Sequence, residues 1–171
     1  FRDMQANLSA ALEYAAAGWH VFPVTAGEKV PRKGSSGCKD ATTDEGTITE
    51  WFEGRPYLNI GIAAGQGSRL LILDVDQKDG RDGAGTLLDW ERDGHLIPDT
   101  RMQRTPSGGR QYLLKPPAGM VLPNSVDALG SGVDIRGDGG YTVAPPSQTG
   151  VGKYQWLNDL PIAEAPAWLI D

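Results

Sequence analysis

The sequence predicts an α+β fold with a mostly antiparallel sheet. Helical patterns are few, short runs of β-branched and aromatic residues bounded by Gly and Pro follow them, and the second half pairs such runs closely, as hairpins do. A length of 171 residues suits one domain, 1–171, with enough chain to bury a core. Hydrophobic residues make up 39% and charged residues 22%, which excludes a disordered tail. No apolar run is long enough to cross a bilayer and no signal-peptide pattern opens the chain, so a cytoplasmic protein without a membrane partner is expected.

Asn7 precedes LSAALEYAAA, which favours helix and ends at Gly18, a residue that commonly stops one. WHVFPVT (19–25) reads as a strand and residues 26–46 as a loop dense in Gly, Pro, Ser and Thr. Thr47 with Glu50 matches a capping box for a short helix over ITEWFE, stopped by Gly54 and Pro56. NIGIAAG (59–65) and RLLILDVD (69–76) read as two strands, and Thr86 with Asp89 as a second capping box ahead of LLDWERDG. TRMQRTP (100–106) and RQYLLKPP (110–117) flank a PSGG turn as a hairpin, and GVDIRG (132–137) with GYTVAPP (140–146) predicts another about Asp138-Gly139. KYQWL (153–157) suggests a last strand, and APAWLID opens a helix.

The net charge of −6 argues against general affinity for nucleic acid, yet the charge is unevenly spread. Lys29, Arg32, Lys33 and Lys39 form one basic loop and Arg101, Arg104, Arg110 and Lys115 a second basic segment. Residues 74–99 carry eight acids against three basic residues. Either this is ordinary surface variation, or carboxylates hold cations between basic loops that hold phosphates. With one cysteine, Cys38, and two histidines, His20 and His95, the usual structural zinc site cannot assemble.

LLILDVDQKDG is the most informative stretch. Side chains at i and i+2 of a strand share a face, so Asp74 and Asp76 project together at the end of an apolar run. Two like charges so placed repel, a penalty that a divalent metal removes, and oxygen-only ligands suit Mg²⁺ or Mn²⁺. A bare D-x-D equally fits an aspartate that merely forms a turn. Asp134, between Val133 and Ile135, faces away from those apolar neighbours, and Arg136 shares its face. A strand so placed beside Asp74 and Asp76 would supply a third carboxylate, enough for a two-metal site; an exposed edge aspartate fits as well. In RTPSGGRQYLL, Gly108 and Gly109 let backbone N–H groups approach an anion, and Ser107, Arg104 and Arg110 add donors. The same segment also reads as a plain Gly-Gly hairpin turn. No Walker A pattern occurs, and Ser107 and Ser147 have no evident histidine base.

Together these motifs carry a resemblance. GWHVFPV, KVPRKG, ATTDEGTITEWFEGRPYLNIGIAAG, LLILDVD, TPSGGRQYLL, GVDIRGDGGYTVAPPS and GKYQW, in that order, are similar to the prim-pol domain of the archaeo-eukaryotic primase superfamily, found at the N-terminus of phage and plasmid replication proteins. The resemblance implies a primase-like catalytic domain, an N-terminal α/β unit and an RRM-like sheet around one cleft. It implies template-directed nucleotidyl transfer from NTPs or dNTPs on DNA, with two divalent cations and release of pyrophosphate. Asp74, Asp76 and Asp134 would hold Mg²⁺ or Mn²⁺, without zinc. Ser107, Gly108, Gly109, Arg110 and Gln111 would bind the triphosphate, Arg136 would be a second phosphate contact, and Lys29, Arg32 and Lys33 could touch nucleotide or template. Gln111 departs from the family, which usually carries histidine there; glutamine still donates a hydrogen bond but cannot become cationic. Such domains commonly precede a helicase domain, and a chain that opens at Phe1 and closes inside a helix is expected of an N-terminal module. Two other readings fit parts of the sequence. A metal-dependent glycosyltransferase also uses D-x-D, but leaves Asp134 and the basic loops without a role; a nucleic-acid-binding module with a weakened site is motivated by Gln111.

Overall fold

The computed structural model describes residues 5–170. Helix α1 (Ala6–Ala16) opens the described chain, followed by β1 (Val21–Val24), a 3-10 turn at Gly37–Asp40, α2 (Glu45–Phe52), β2 (Asn59–Ala63), β3 (Leu71–Val75) and α3 (Gly83–Arg92). Next come β4 (Met102–Arg104), β5 (Arg110–Lys115), β6 (Ser125–Val126), β7 (Val133–Arg136) and β8 (Tyr141–Ala144). Short strands β9 (Gln148–Thr149), β10 (Gly152–Lys153), β11 (Gln155–Trp156) and β12 (Ala163–Glu164) lead to α4 (Ala167–Ile170). The predicted last helix reaches Asp171, which lies outside the described residues.

The helix starts differ from those the capping boxes predict. Asp44 caps α2, its carboxylate accepting from the backbone N–H of Thr47 at 2.9 Å and from the Thr47 hydroxyl at 2.7 Å. Asp82 caps α3 by accepting from Gly85 N–H at 3.0 Å. Aspartate satisfies the free N–H groups of a first turn at least as well as threonine, and a negative charge there also suits the helix dipole. Asn7 is not a cap either: it is buried inside α1, and its amide donates to the carbonyls of Arg55 and Leu58, both at 3.0 Å.

Two sheets form. The smaller is antiparallel, in the order β1-β2-β8. The larger runs β11-β4-β5-β3-β7-β6, antiparallel throughout that path, with β12 added parallel to β5. The fold is therefore α+β with a mostly antiparallel sheet. The 100–117 hairpin is present, with Arg104 opposite Arg110. The predicted 132–146 hairpin is not: β7 pairs with β3 in the larger sheet and β8 with β2 in the smaller. The turn about Asp138-Gly139 does form, with Gly140 N–H donating to the Gly137 carbonyl at 2.9 Å, but it carries the chain from one sheet to the other. Asp138 anchors it by accepting from Gln66 N–H at 3.1 Å and Leu122 N–H at 2.9 Å. A Cβ on Gly137 would collide with the Leu122 carbonyl oxygen, so no larger residue fits there without a backbone shift.

β3 is buried on both faces, which explains its unbroken apolar run. Ile72, with Leu113 of β5, joins Ile60 and Ile62 of β2, Leu8 and Ala11 of α1, and Ile48 and Phe52 of α2. Leu71, Leu73 and Val75 face the other way, with Leu114 and Val133, under Trp90 of α3 and Leu169 of α4. Burying each such aliphatic side chain contributes about 1.5–3 kcal/mol, so the central strand is held firmly on both sides. His95 lies flat against Trp168 at 4.9 Å, a partner that the sequence did not reveal.

Candidate active site

The ladder of the larger sheet sets one row of side chains side by side. Gln103 of β4 is opposite Gln111 of β5, Gln111 opposite Asp74 of β3, and Asp74 opposite Asp134 of β7. All point away from the α3 and α4 side, because cross-strand partners share a face and their neighbours Leu73, Val75 and Val133 pack beneath those helices. Asp76 follows two residues beyond Asp74. The row opens into a cleft of about 410 Å³ whose lining includes Asp74, Asp76, Asp134, Gln111, Arg136 and Lys29, and also Ser107, Lys78, Arg81 and Tyr154. That volume lies within the range of small-ligand sites.

The Gln111 amide is held in one orientation. Its carbonyl oxygen accepts from the Gln103 amide at 2.7 Å and from the Thr142 hydroxyl at 2.5 Å. Gln103 also donates to the Val143 carbonyl at 2.9 Å. With its oxygen engaged, Gln111 has its NH₂ left for its cross-strand partner Asp74, and it pulls the Asp74 carboxyl down. Gln103, Gln111 and Thr142 are all at most 5% exposed, so water does not compete.

Each carboxylate has a cationic partner. Arg136 donates to Asp74 at 3.4 Å. Arg81, from the loop between β3 and α3, donates to Asp134 at 2.5 Å and to Asp127 at 2.8 Å, and stands 3.8 Å from Asp76. Burial pushes the Asp74 carboxyl above its ordinary range, against the opposing pull of Arg136 and Gln111. Hydrogen bonds to Asp127 and then to Asp134 raise the Arg81 guanidinium, and Arg81 with the Gly132 N–H lowers Asp127 in turn. Burial, and then the nearby Asp74 charge, keep the Tyr154 phenol protonated.

The expectation that three carboxylates converge needs one correction. Their strands are adjacent, but the side chains turn onto arginines, and among the described residues no three His, Cys, Asp or Glu groups close on a common point. The donor set nevertheless fits a hard divalent cation. It is oxygen-only, and two members, Asp74 and Asp134, are direct cross-strand neighbours.

The PSGG turn lies at the end of β3. A Cβ on Gly109 would meet the Val75 carbonyl at 3.0 Å and the Thr105 hydroxyl at 3.1 Å, with the Asp76 carboxylate 3.8 Å away, so this turn packs closely beside the acidic row. Gly108 adopts φ +90°, a conformation glycine reaches without strain. Ser107 lines the cleft. Arg110 does not: it is opposite Val75, hence on the helical face, turned away from Asp74. Arg32 and Lys33 line a separate cavity with Phe22 and Trp51, while Lys29 reaches the cleft. Sequence reasoning missed Arg81, Asp127, Thr142 and Tyr154. Their positions depend on loops and on the sheet crossing, and no local pattern marks them.

An α+β domain that presents acidic residues from adjacent strands to a cation-rimmed cleft has the arrangement of a primase or polymerase catalytic unit. The sequence agrees: residues 11–168 match the family described as bifunctional DNA primase/polymerase, N-terminal, and the chain belongs to that family. No curated protein matches it in sequence. Among the described residues, no helix is long and apolar enough to cross a membrane.

Proposed function

We propose that the domain extends primers on a DNA template by transferring nucleotides from NTPs or dNTPs, with release of pyrophosphate. The observation that carries this is the row Gln111–Asp74–Asp134 with Asp76 beyond it, opening into one cleft with Lys29, Lys78, Arg81 and Arg136 on its walls. Asp74, Asp76 and Asp134 would hold Mg²⁺ or Mn²⁺, two ions in all, which when bound supply charge stabilisation at the attacking and leaving oxygens. The protein's own groups have separable tasks. Lys29, Lys78 and Arg136 offer cations to phosphate oxygens. The turn at Ser107–Gly109 lets backbone and hydroxyl donors approach the triphosphate. Gln111 offers Asp74 a donor whose orientation Gln103 and Thr142 hold. On the resemblance alone, the domain would serve phage or plasmid replication in a host cell's cytoplasm, as a catalytic module ahead of a helicase domain.

Primer extension with labelled dNTPs and Mn²⁺ or Mg²⁺ tests this reading. Asp74→Ala and Asp76→Ala should each abolish incorporation with an unchanged circular dichroism spectrum, because neither side chain belongs to an apolar cluster. Either variant within tenfold of the parent would sink the assignment.

A further inference from the structure

We propose that Arg81 is a built-in counter-cation of the carboxylate cluster, which a divalent cation must displace before it can take Asp134 and Asp76. This rests on the metal-site reading given above. Arg81 belongs to none of the motifs that mark the family resemblance, yet its guanidinium stands among three carboxylates from three separate segments. Nη2 meets Asp134 at 2.5 Å and Asp127 at 2.8 Å, Nε meets Asp127 at 3.3 Å, and Nη1 stands 3.8 Å from Asp76. Asp134 is the most enclosed of the three, with a side chain 10% exposed, and its Oδ1 also accepts from Asp127 N–H at 3.1 Å. An enclosed carboxylate oxygen with these partners has its lone pairs directed at Arg81 and the backbone. A divalent ion on the same oxygen would sit against a guanidinium of like sign, so the two compete.

Asp127 gives the displaced arginine somewhere to go. Its side chain is 44% exposed, against 10% for Asp134, and Gly132 N–H holds it at 2.8 Å whether or not Arg81 remains on Asp134. A short swing can therefore free Asp134 and Asp76 while Arg81 stays paired with Asp127 at the rim. Apparent metal affinity is then lowered by the free energy of that displacement, as for any ligand whose competent state is only fractionally populated.

The test is Mn²⁺ binding by titration calorimetry, checked by electron paramagnetic resonance of free Mn²⁺. The parent, Arg81→Gln and Arg81→Lys are compared without nucleotide. Arg81→Gln should bind Mn²⁺ at least fivefold more tightly than the parent. Arg81→Lys, which keeps charge but loses the two-pronged contact, should fall between them and serves if the glutamine variant does not fold. Mn²⁺ should also raise the melting temperature of Arg81→Gln more than that of the parent. A parent that binds Mn²⁺ with variants equal to it or weaker would overturn the competition while leaving the metal site standing. If no form bound Mn²⁺, both would fall.

Discussion

Replacing Gln111 by glutamate tests the acidic row with almost no change of shape. One glutamate oxygen can keep the hydrogens that Gln103 and Thr142 direct at position 111. The other takes the place of the NH₂ on the side of the cross-strand partner Asp74, so an amide beside a carboxylate becomes a second carboxylate. Directly opposed residues in a sheet lie about 5 Å apart, and at an effective dielectric near 20 two unit charges there repel by about 3 kcal/mol. Arg136, 3.4 Å from Asp74, takes some of the repulsion back. The net expectation is at most about 3 kcal/mol of lost stability at pH 7 with chelator present. The sign with pH is fixed: like-charge repulsion raises the folded-state carboxyl pKa, so the loss is full above that value and disappears below the unfolded value of about 4. Urea denaturation of parent and Gln111→Glu at pH 7 and pH 4 measures both. A loss under about 1 kcal/mol at pH 7, or one that does not shrink at pH 4, would refute the placement of Gln111 against Asp74.

Three further outcomes follow from the same geometry. Gln111→His puts an imidazole at the cleft floor beside Asp74, and where it is cationic it adds positive charge near the triphosphate, so it should lower the KM for dNTP at acid pH with a gain that fades as the imidazole deprotonates; steady-state incorporation across a pH series checks this, and unchanged or weaker affinity throughout would count against it. In chelator, Asp74→Asn should be more stable than the parent at pH 7, because burial raises the Asp74 pKa and ionisation in the folded state is therefore penalised as pH climbs above the unfolded value. Urea midpoints that do not separate between pH 3.5 and pH 7 would contradict that. Single-stranded template should bind about tenfold more weakly on tripling the salt, from about three phosphate contacts of slope near 0.7 each, and a labelled-template titration insensitive to salt would exclude the basic loops as the contact surface.

Much of the site could be read from residue types and periodicity. Alternation along LLILDVD and GVDIRG puts Asp74, Asp134 and Arg136 on one face, and the structure sets them on neighbouring strands. What escaped reading is long-range. Arg110 looked like a triphosphate ligand because it adjoins the Gly-Gly turn, but one residue of register decides its face, and the pairing with Val75 turns it towards α3 and α4. Asp138-Gly139 forms the turn its residues signal, yet the strands on either side pair in different sheets, and the Asp138 carboxylate is held by Gln66 and Leu122, residues remote in sequence. Asp44 and Asp82 were passed over as caps because a threonine three or four residues on completed a more familiar pattern.

The hydrogen bonds that orient Gln111 have a mechanical meaning as well. Gln103 and Gln111 belong to the larger sheet, and Thr142 and Val143 to the smaller, so these contacts rivet one layer to the other at the back of the cleft. The crossing at residues 137–140 adds a covalent strap on the same side. A jaw fastened in this way does not gape by rotating its two plates. Any widening of the cleft falls to what is mounted at its mouth, the loops that bear Lys29, Lys78 and Ser107, while the floor keeps Asp74 and Asp134 side by side.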